Sequence, residues 1–300
     1  MRFVTAKKEE KVFVGVVSES LETVLHLREA QKAMKGKVTL PITMIECIEA
    51  GETFMEQAAE IARWAQEQEY PPGLYSLKEV KLLAPIPKPR KNIICVGKNY
   101  REHALELGGE DTIPEHVMFF TKAPTTVTGQ HDFIHSYSHL TNELDYEGEL
   151  AVVIGRKGKG IRAEEALDYI FGYTIINDIT ARDIQSRHKQ FFLGKSFDTF
   201  CPMGPFLVHR SLIRHPDELA IETKVNGEVR QSSNTSQMLF HISTVISVLS
   251  QGMTLEPGDI IATGTPAGVG KGFQPPRFLK SGDVIEVTVE KIGTLCNTVK

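Results

Sequence analysis

Cysteine is scarce in this chain. The four cysteines, Cys47, Cys95, Cys201 and Cys296, are scattered over 300 residues. They form no CxxC pair and no Cys/His cluster, which argues against a zinc knuckle or dithiol centre and leaves reduced core thiols. No apolar run approaches the length that crosses a bilayer. Residues 1–10 carry no apolar signal core, so the expected location is cytoplasmic. Charge of one sign is lacking too. With 34 Lys and Arg against 38 Asp and Glu, a net charge of −4 gives no footprint for nucleic acid or an anionic membrane. The glycine-rich residues 264–270 lack the Gly-Lys-Ser/Thr ending of a phosphate loop and the spacing of a dinucleotide fingerprint. Those glycines read instead as letting backbone N–H groups approach a small anion.

What is present is an ordinary globular composition with ample material for a core. Residues 1–83 read as a small α/β region. Val12-Phe13-Val14-Gly15-Val16-Val17 predicts a strand. Apolar Leu21, Val24, Leu25 and Leu27 predict a helix over 20–34, and a second helical pattern covers 44–68 with a break near Gly51. The proline-rich residues 84–91 favour extended chain and read as a linker or lead-in to a catalytic domain over 84–300. There, strands are predicted at 92–97, 117–122, 171–178 and 206–208, with two more inside 255–263 and 281–289. Asn226-Gly227 marks a β-hairpin over 222–231. Helices are predicted over 100–107, 163–169, 179–185 and 242–249. His131, His135 and His139 have helical spacing, but the residues between them do not support a helix, so no metal site is read there.

Candidate chemistry centres on residues 144–155, read as one strand that passes from acids to Leu-Ala-Val-Val-Ile. Side chains alternate along a strand, so Asp145, Glu147 and Glu149 share a face, joined by Glu143 if the strand begins there. Either they hold a hard divalent cation or they are a solvated strand start. Asp178 ends an apolar strand, where it serves as a third ligand or as the cap of the following helix. His103 and Glu106 are i,i+3 neighbours, either a base oriented by a carboxylate or a surface ion pair. Gly108-Gly109 and the acids after them suit a mobile lid. Arg182 and Gln185 fall on the side of Asp178 and suit an anionic substrate. Lys122 ends a strand, and Lys195 lies in a turn-rich loop with partly enclosing neighbours.

Six segments, taken together and in order, resemble the fumarylacetoacetate hydrolase family over roughly residues 90–300. They are Gly97-Lys98-Asn99-Tyr100 with His103; Asp145-Tyr146-Glu147-Gly148-Glu149-Leu150; residues 177–183 with Gln185; Gly194-Lys195-Ser196 with Cys201-Pro202; Val225-Asn226-Gly227; and residues 263–270. The resemblance implies an α+β fold, a mixed β-sheet roll or sandwich with peripheral helices, assembled as a homodimer. It implies Glu147, Glu149 and Asp178 as ligands of Mg²⁺ or Mn²⁺, with Asp145 and Glu143 as supporting acids. His103, Glu106 and Lys195 are then catalytic, and Arg182, Gln185, Lys122 and Thr265 contact a small 2-oxo acid. The implied activity is C–C bond cleavage through a metal-bound pyruvate enolate, as in oxaloacetate decarboxylase or acylpyruvate hydrolase members. One alternative is an isomerase or hydratase acting on 2-hydroxymuconate-type intermediates. A non-enzymatic alternative is protein binding through residues 1–83.

Overall fold

In the computed structural model, which describes residues 1–300, a single mixed sheet of 12 strands runs through the molecule. Along its main path the strands are Leu74–Ser76, Thr23–His26, Lys11–Val17, Arg2–Lys8, Cys201–His209, Ile170–Asn177, Gly148–Ile154, Ile260–Ala262, Ile93–Gly97 and Met118–Lys122. A second sheet of five strands is built from Glu228–Asn234, Ala220–Val225, Val284–Val289, Gly293–Val299 and Phe133–Ile134. With helices packed around the sheets, the fold is α+β. No helix is long and apolar enough to cross a membrane.

The strand Gly148–Ile154 is buried along its whole length. Its alternating side chains feed two cores, as strand geometry dictates. Leu150, Val152 and Ile154 join Ile285, Val287 and Val289 of the five-stranded sheet in one apolar cluster. Ala151 and Val153 join Phe3, Phe54 and Ile61 in the other. That second cluster unites the first 83 residues with the rest of the chain, because Arg2–Lys8 pairs with Cys201–His209 in the large sheet.

Several expected elements are present. The helical pattern over 44–68 resolves into Met44–Glu49 and Gly51–Gln66, broken at Gly51 with φ of 55°. Asn226 and Gly227 both adopt positive φ, 53° and 79°, the turn that matches strand twist in a two-residue hairpin.

Other expectations change. The helix expected over 20–34 begins only at Leu27, because Thr23–His26 is recruited as a strand beside Lys11–Val17. The proline-rich segment packs rather than hangs free: Ala84, Pro85 and Ile86 are buried, and Thr5 Oγ1 donates to Pro85 O at 2.7 Å. The acidic strand is interrupted. Leu144–Asp145 pairs with Thr180–Ala181, and only after Tyr146 and Glu147 does Gly148–Ile154 enter the large sheet. Asp178 caps no helix, since Thr180–Ala181 intervenes and the helix runs Arg182–His188. Lys195 closes a short helix, Phe191–Lys195, rather than lying in a loop.

Candidate active site

Gly148 is the hinge of the site. A Cβ at this position would meet Thr223 Oγ1 at 2.2 Å and Val287 Cγ1 at 2.8 Å, so the five-stranded sheet packs directly behind it. The residue between two glutamates must therefore lack a side chain. Glu147 N donates to Asn177 Oδ1 at 3.0 Å and Gly148 N to Gln231 Oε1 at 3.0 Å, which fixes the backbone on both sides. Asp178 follows on the neighbouring strand, its N–H donating to Glu147 O at 2.8 Å. The outcome is that ligand oxygens of Glu147, Glu149 and Asp178 lie within 4.8 Å of one another, and all three residues are buried. The solvated-strand reading does not survive that burial.

Buried carboxylates need partners. Lys195 Nζ donates to Glu147 Oε2 at 2.9 Å, Asp178 Oδ2 at 2.7 Å and Thr180 Oγ1 at 2.9 Å. Lys122 Nζ donates to Asp178 Oδ1 at 2.6 Å and to Ile179 O at 3.1 Å. Arg182 Nη2 lies 2.7 Å from Glu147 Oε1, and its Nε donates to Asp145 Oδ2 at 2.9 Å. Burial alone pushes the Glu147 carboxyl up, but Lys195, Arg182 and His103 outweigh it and hold the group at about 2. Lys195 loses charge stability to burial, yet Asp178 and Glu147 more than restore it, so its pKa is raised.

Glu149 differs from the other acids. It pairs with no cation, and its one hydrogen bond comes from Gly264 N at 2.8 Å. Burial, reinforced by Asp178 and Glu147, pushes its carboxyl well above the ordinary 4.5. A divalent cation would relieve that stress, and three clustered carboxylates are the oxygen donor set that Mg²⁺ or Mn²⁺ prefers. The residues fit such an ion.

The second group of residues stands on the helix Arg101–Gly108. His103 Nδ1 and Glu106 Oε1 are 2.7 Å apart, and His103 is only 4% exposed. This is no surface ion pair. Glu106 Oε2 accepts from Gly268 N at 2.9 Å, so the pair is anchored to the glycine-rich loop. That loop does present N–H groups to anions, but the anions are the protein's own carboxylates. Gly264 serves Glu149, Gly268 serves Glu106, and Gly270 serves Asp145 at 2.6 Å.

A cavity of about 390 Å³ collects these groups. His103, Glu147, Glu149, Arg182, Gln185, Lys195 and Thr265 line it, with Phe120 and Phe191 as apolar wall. Lys122 does not: it is fully buried and holds Asp178 through its ammonium. Arg182 reaches Gln185 Oε1 at 3.4 Å, so it positions the amide while its charge is largely committed to Asp145 and Glu147. Sequence reasoning missed Thr180, Asn177 and Gln231, which hold Lys195, Glu147 and Gly148. A polar Asn177 closing an otherwise apolar strand was the available signal for one of them; nothing in the hairpin sequence marked Gln231.

The chain matches the family described as fumarylacetoacetate (FAA) hydrolase, C-terminal, across residues 92–300. It is 56% identical to a Bacillus subtilis protein named oxaloacetate tautomerase YisK over 301 aligned residues, covering 100% of both chains. Among solved structures it resembles a fumarylacetoacetate hydrolase from psychrophilic Exiguobacterium antarcticum at 40% identity and a TM-score of 0.81, covering 100% of this chain and 99% of that one. It also resembles a 5-carboxymethyl-2-hydroxymuconate delta-isomerase from Mycobacterium smegmatis at 34% identity and a TM-score of 0.73, covering 100% and 98%.

Proposed function

The chain belongs to the fumarylacetoacetate hydrolase family, and we propose that it interconverts the enol and keto forms of oxaloacetate. The observation that carries this reading is one cavity lined by Glu147, Glu149 and His103, where Asp178 clusters with the two glutamates and Glu106 is hydrogen-bonded to His103. Full-length likeness to the Bacillus subtilis tautomerase supports the choice of reaction.

Glu147, Glu149 and Asp178 would hold a Mg²⁺ or Mn²⁺ ion, which would supply Lewis-acid stabilisation of charge developing on the substrate 2-oxo oxygen. Tautomerisation then needs a proton moved to or from C3. Glu106 Oε1 accepts from the His103 Nδ1–H, which leaves Nε2 with the free lone pair. His103 Nε2 takes the C3 proton and delivers it to the 2-oxygen to give the enol, and in the reverse direction takes the enol O–H proton and places it on C3. Lys195 donates to both Glu147 and Asp178 and orients them. Gln185 and Thr265 present polar groups to the bound acid from the cavity wall.

A second reading keeps C–C bond cleavage, by decarboxylation or acylpyruvate hydrolysis. It is favoured by the same His103–Glu106 pair, which is equally suited to activating water. Mixing crystalline enol-oxaloacetate with the Mn²⁺-loaded protein separates the two. Ultraviolet absorbance follows loss of the enol, and carbon analysis follows pyruvate and CO₂. Tautomerisation predicts accelerated enol decay with no carbon lost. CO₂ released in step with enol decay would replace it with decarboxylation, and no acceleration of either process would remove both. His103→Ala is expected to lower the rate by roughly 10²-fold or more, the usual weight of a positioned acid–base group.

A further inference from the structure

Lys98 stands at the exit of the strand Ile93–Gly97 and lines the cavity together with Lys189 and Lys271. None of these three lysines forms an ion pair, whereas Lys195 and Arg182 deeper in the cavity are neutralised by carboxylates. The cavity thus carries two kinds of charge: an acid cluster with its own cations, and three lysines with no carboxylate partner.

Lys189 is exposed, whereas Lys98 and Lys271 are half-buried; Lys98 is set apart by the buried residue that follows it. Burial lowers its pKa, and no carboxylate offsets that cost. Its backbone sits at φ of 52°, a conformation a lysine seldom adopts, though Lys189 shares it at 58°. Asn99 enforces that geometry. It is fully buried, with Nδ2 donating to Thr263 O at 2.8 Å and to Phe240 O at 3.0 Å, while Oδ1 accepts from Phe240 N at 2.9 Å. Three hydrogen bonds therefore hold the turn that sends Lys98 into the cavity wall. A half-buried ammonium without a counter-ion, held beside a tightly bonded turn, is placed to receive an anion.

We propose that Lys98 binds the distal carboxylate of a 2-oxo dicarboxylate, and that this contact selects dianionic substrates over monocarboxylates. The proposal rests on the 2-oxo acid reading of the same cavity and assigns the residue that recognises the second charge.

L-malate and L-lactate, hydroxy acids with two carboxylates and one, serve as probes that need no turnover. Calorimetric binding to the full-length Mn²⁺-loaded protein is measured for wild type, Lys98→Met, Lys98→Arg and Lys189→Met, with melting temperatures as the check on folding. Wild type is expected to prefer malate. Lys98→Met is expected to weaken malate about ten-fold or more while lactate changes by less than about two-fold, as loss of one charge-assisted hydrogen bond dictates. Lys98→Arg restores most of the preference, and Lys189→Met, at an exposed screened position, shifts it far less. Equal weakening of both ligands, or malate binding untouched by a folded Lys98→Met, overturns the proposal. Loss of malate preference in Lys98→Met together with absent oxaloacetate interconversion in wild type would keep this subsite and remove the tautomerase reading. Interconversion with malate preference unmoved would do the reverse.

Discussion

Glu147 and Glu149 are two residues apart, and the fold gives them opposite electrostatic fates. Lys195 and Arg182 pair directly with Glu147, whereas Glu149 accepts one peptide N–H, faces two like charges and has no cation within ion-pair distance. Their linkage to stability therefore has opposite sign. The folded-state pKa of Glu149 is raised, so its contribution is fully present below 4.5 and is lost as pH climbs above that ordinary value. Glu147 is held down at about 2, so its contribution is present above 4.5 and is lost as pH falls toward 2. The cation-free protein is expected to lose melting temperature as pH rises above 4.5, and Glu149→Gln is expected to remove that loss. The same variant should weaken Mn²⁺ by at least about ten-fold, read as a smaller Mn²⁺-induced rise in melting temperature. A cation-free Glu149→Gln protein that still softens with rising pH would place the stress on another group. None of this asymmetry is visible in the spacing Glu-x-Glu. Periodicity grouped Asp145, Glu147 and Glu149, and only family resemblance separated the ligands from Asp145. The physical reason is that the partners which distinguish them, Lys195, Arg182 and Gly270, lie 35 or more positions away in the chain.

At the scale of elements, the loop over 264–272 is the organiser that residue patterns understated. It carries the N–H donors for Glu149, Glu106 and Asp145, and thereby joins the strand bearing Glu149 to the helix bearing His103. Gly268 is its critical point. A Cβ there would lie 1.9 Å from Arg230 O, and φ is 102°. Gly268→Ala must displace backbone, and the N–H aimed at Glu106 moves with it. The expected result is a fall in turnover of about ten-fold or more with Mn²⁺ affinity largely kept, because Glu149 draws its donor from Gly264. Equal loss of Mn²⁺ affinity and turnover would show instead that the loop moves as one rigid piece. Local elements with strong periodicity or turn chemistry, such as the hairpin at Asn226-Gly227 and the helices over 44–66, were readable from sequence. Elements defined by a distant partner were not. Cys201–His209 contains Pro202, Gly204 and Pro205, which mask its first half, and Thr23–His26 sits inside a helical pattern that strand pairing overrides.

For the molecule as a whole, the decisive feature is where the first strand inserts. Arg2–Lys8 is flanked on one side by Lys11–Val17 and on the other by Cys201–His209, with Arg2 opposite Val208 and Phe3 opposite Leu207. Phe3, Val4 and Ala6 are fully buried, and the Phe3 ring lies 5.2 Å from Phe54 and 5.9 Å from Phe171. The family match begins at residue 92, but the large sheet takes in strands from residue 2 onward. A chain starting at residue 84 would expose the edge of Cys201–His209, a long strand with unpaired backbone groups, together with the apolar face that meets Phe3 and Phe54. It is expected to aggregate or to lack a cooperative thermal transition, whereas the full chain is expected to melt in one transition when followed by both near-ultraviolet and far-ultraviolet dichroism. Phe3→Ala tests the same coupling without truncation. Removing a fully buried ring costs about 3–5 kcal/mol, and because the ring belongs to a cluster shared with Ala151 and Val153, Mn²⁺ protection should fail at the same lowered temperature as the first helices. Two separable transitions, with the cation-binding region surviving the loss of residues 1–83, would show that the shared sheet is a contact between independent units and not one folding unit.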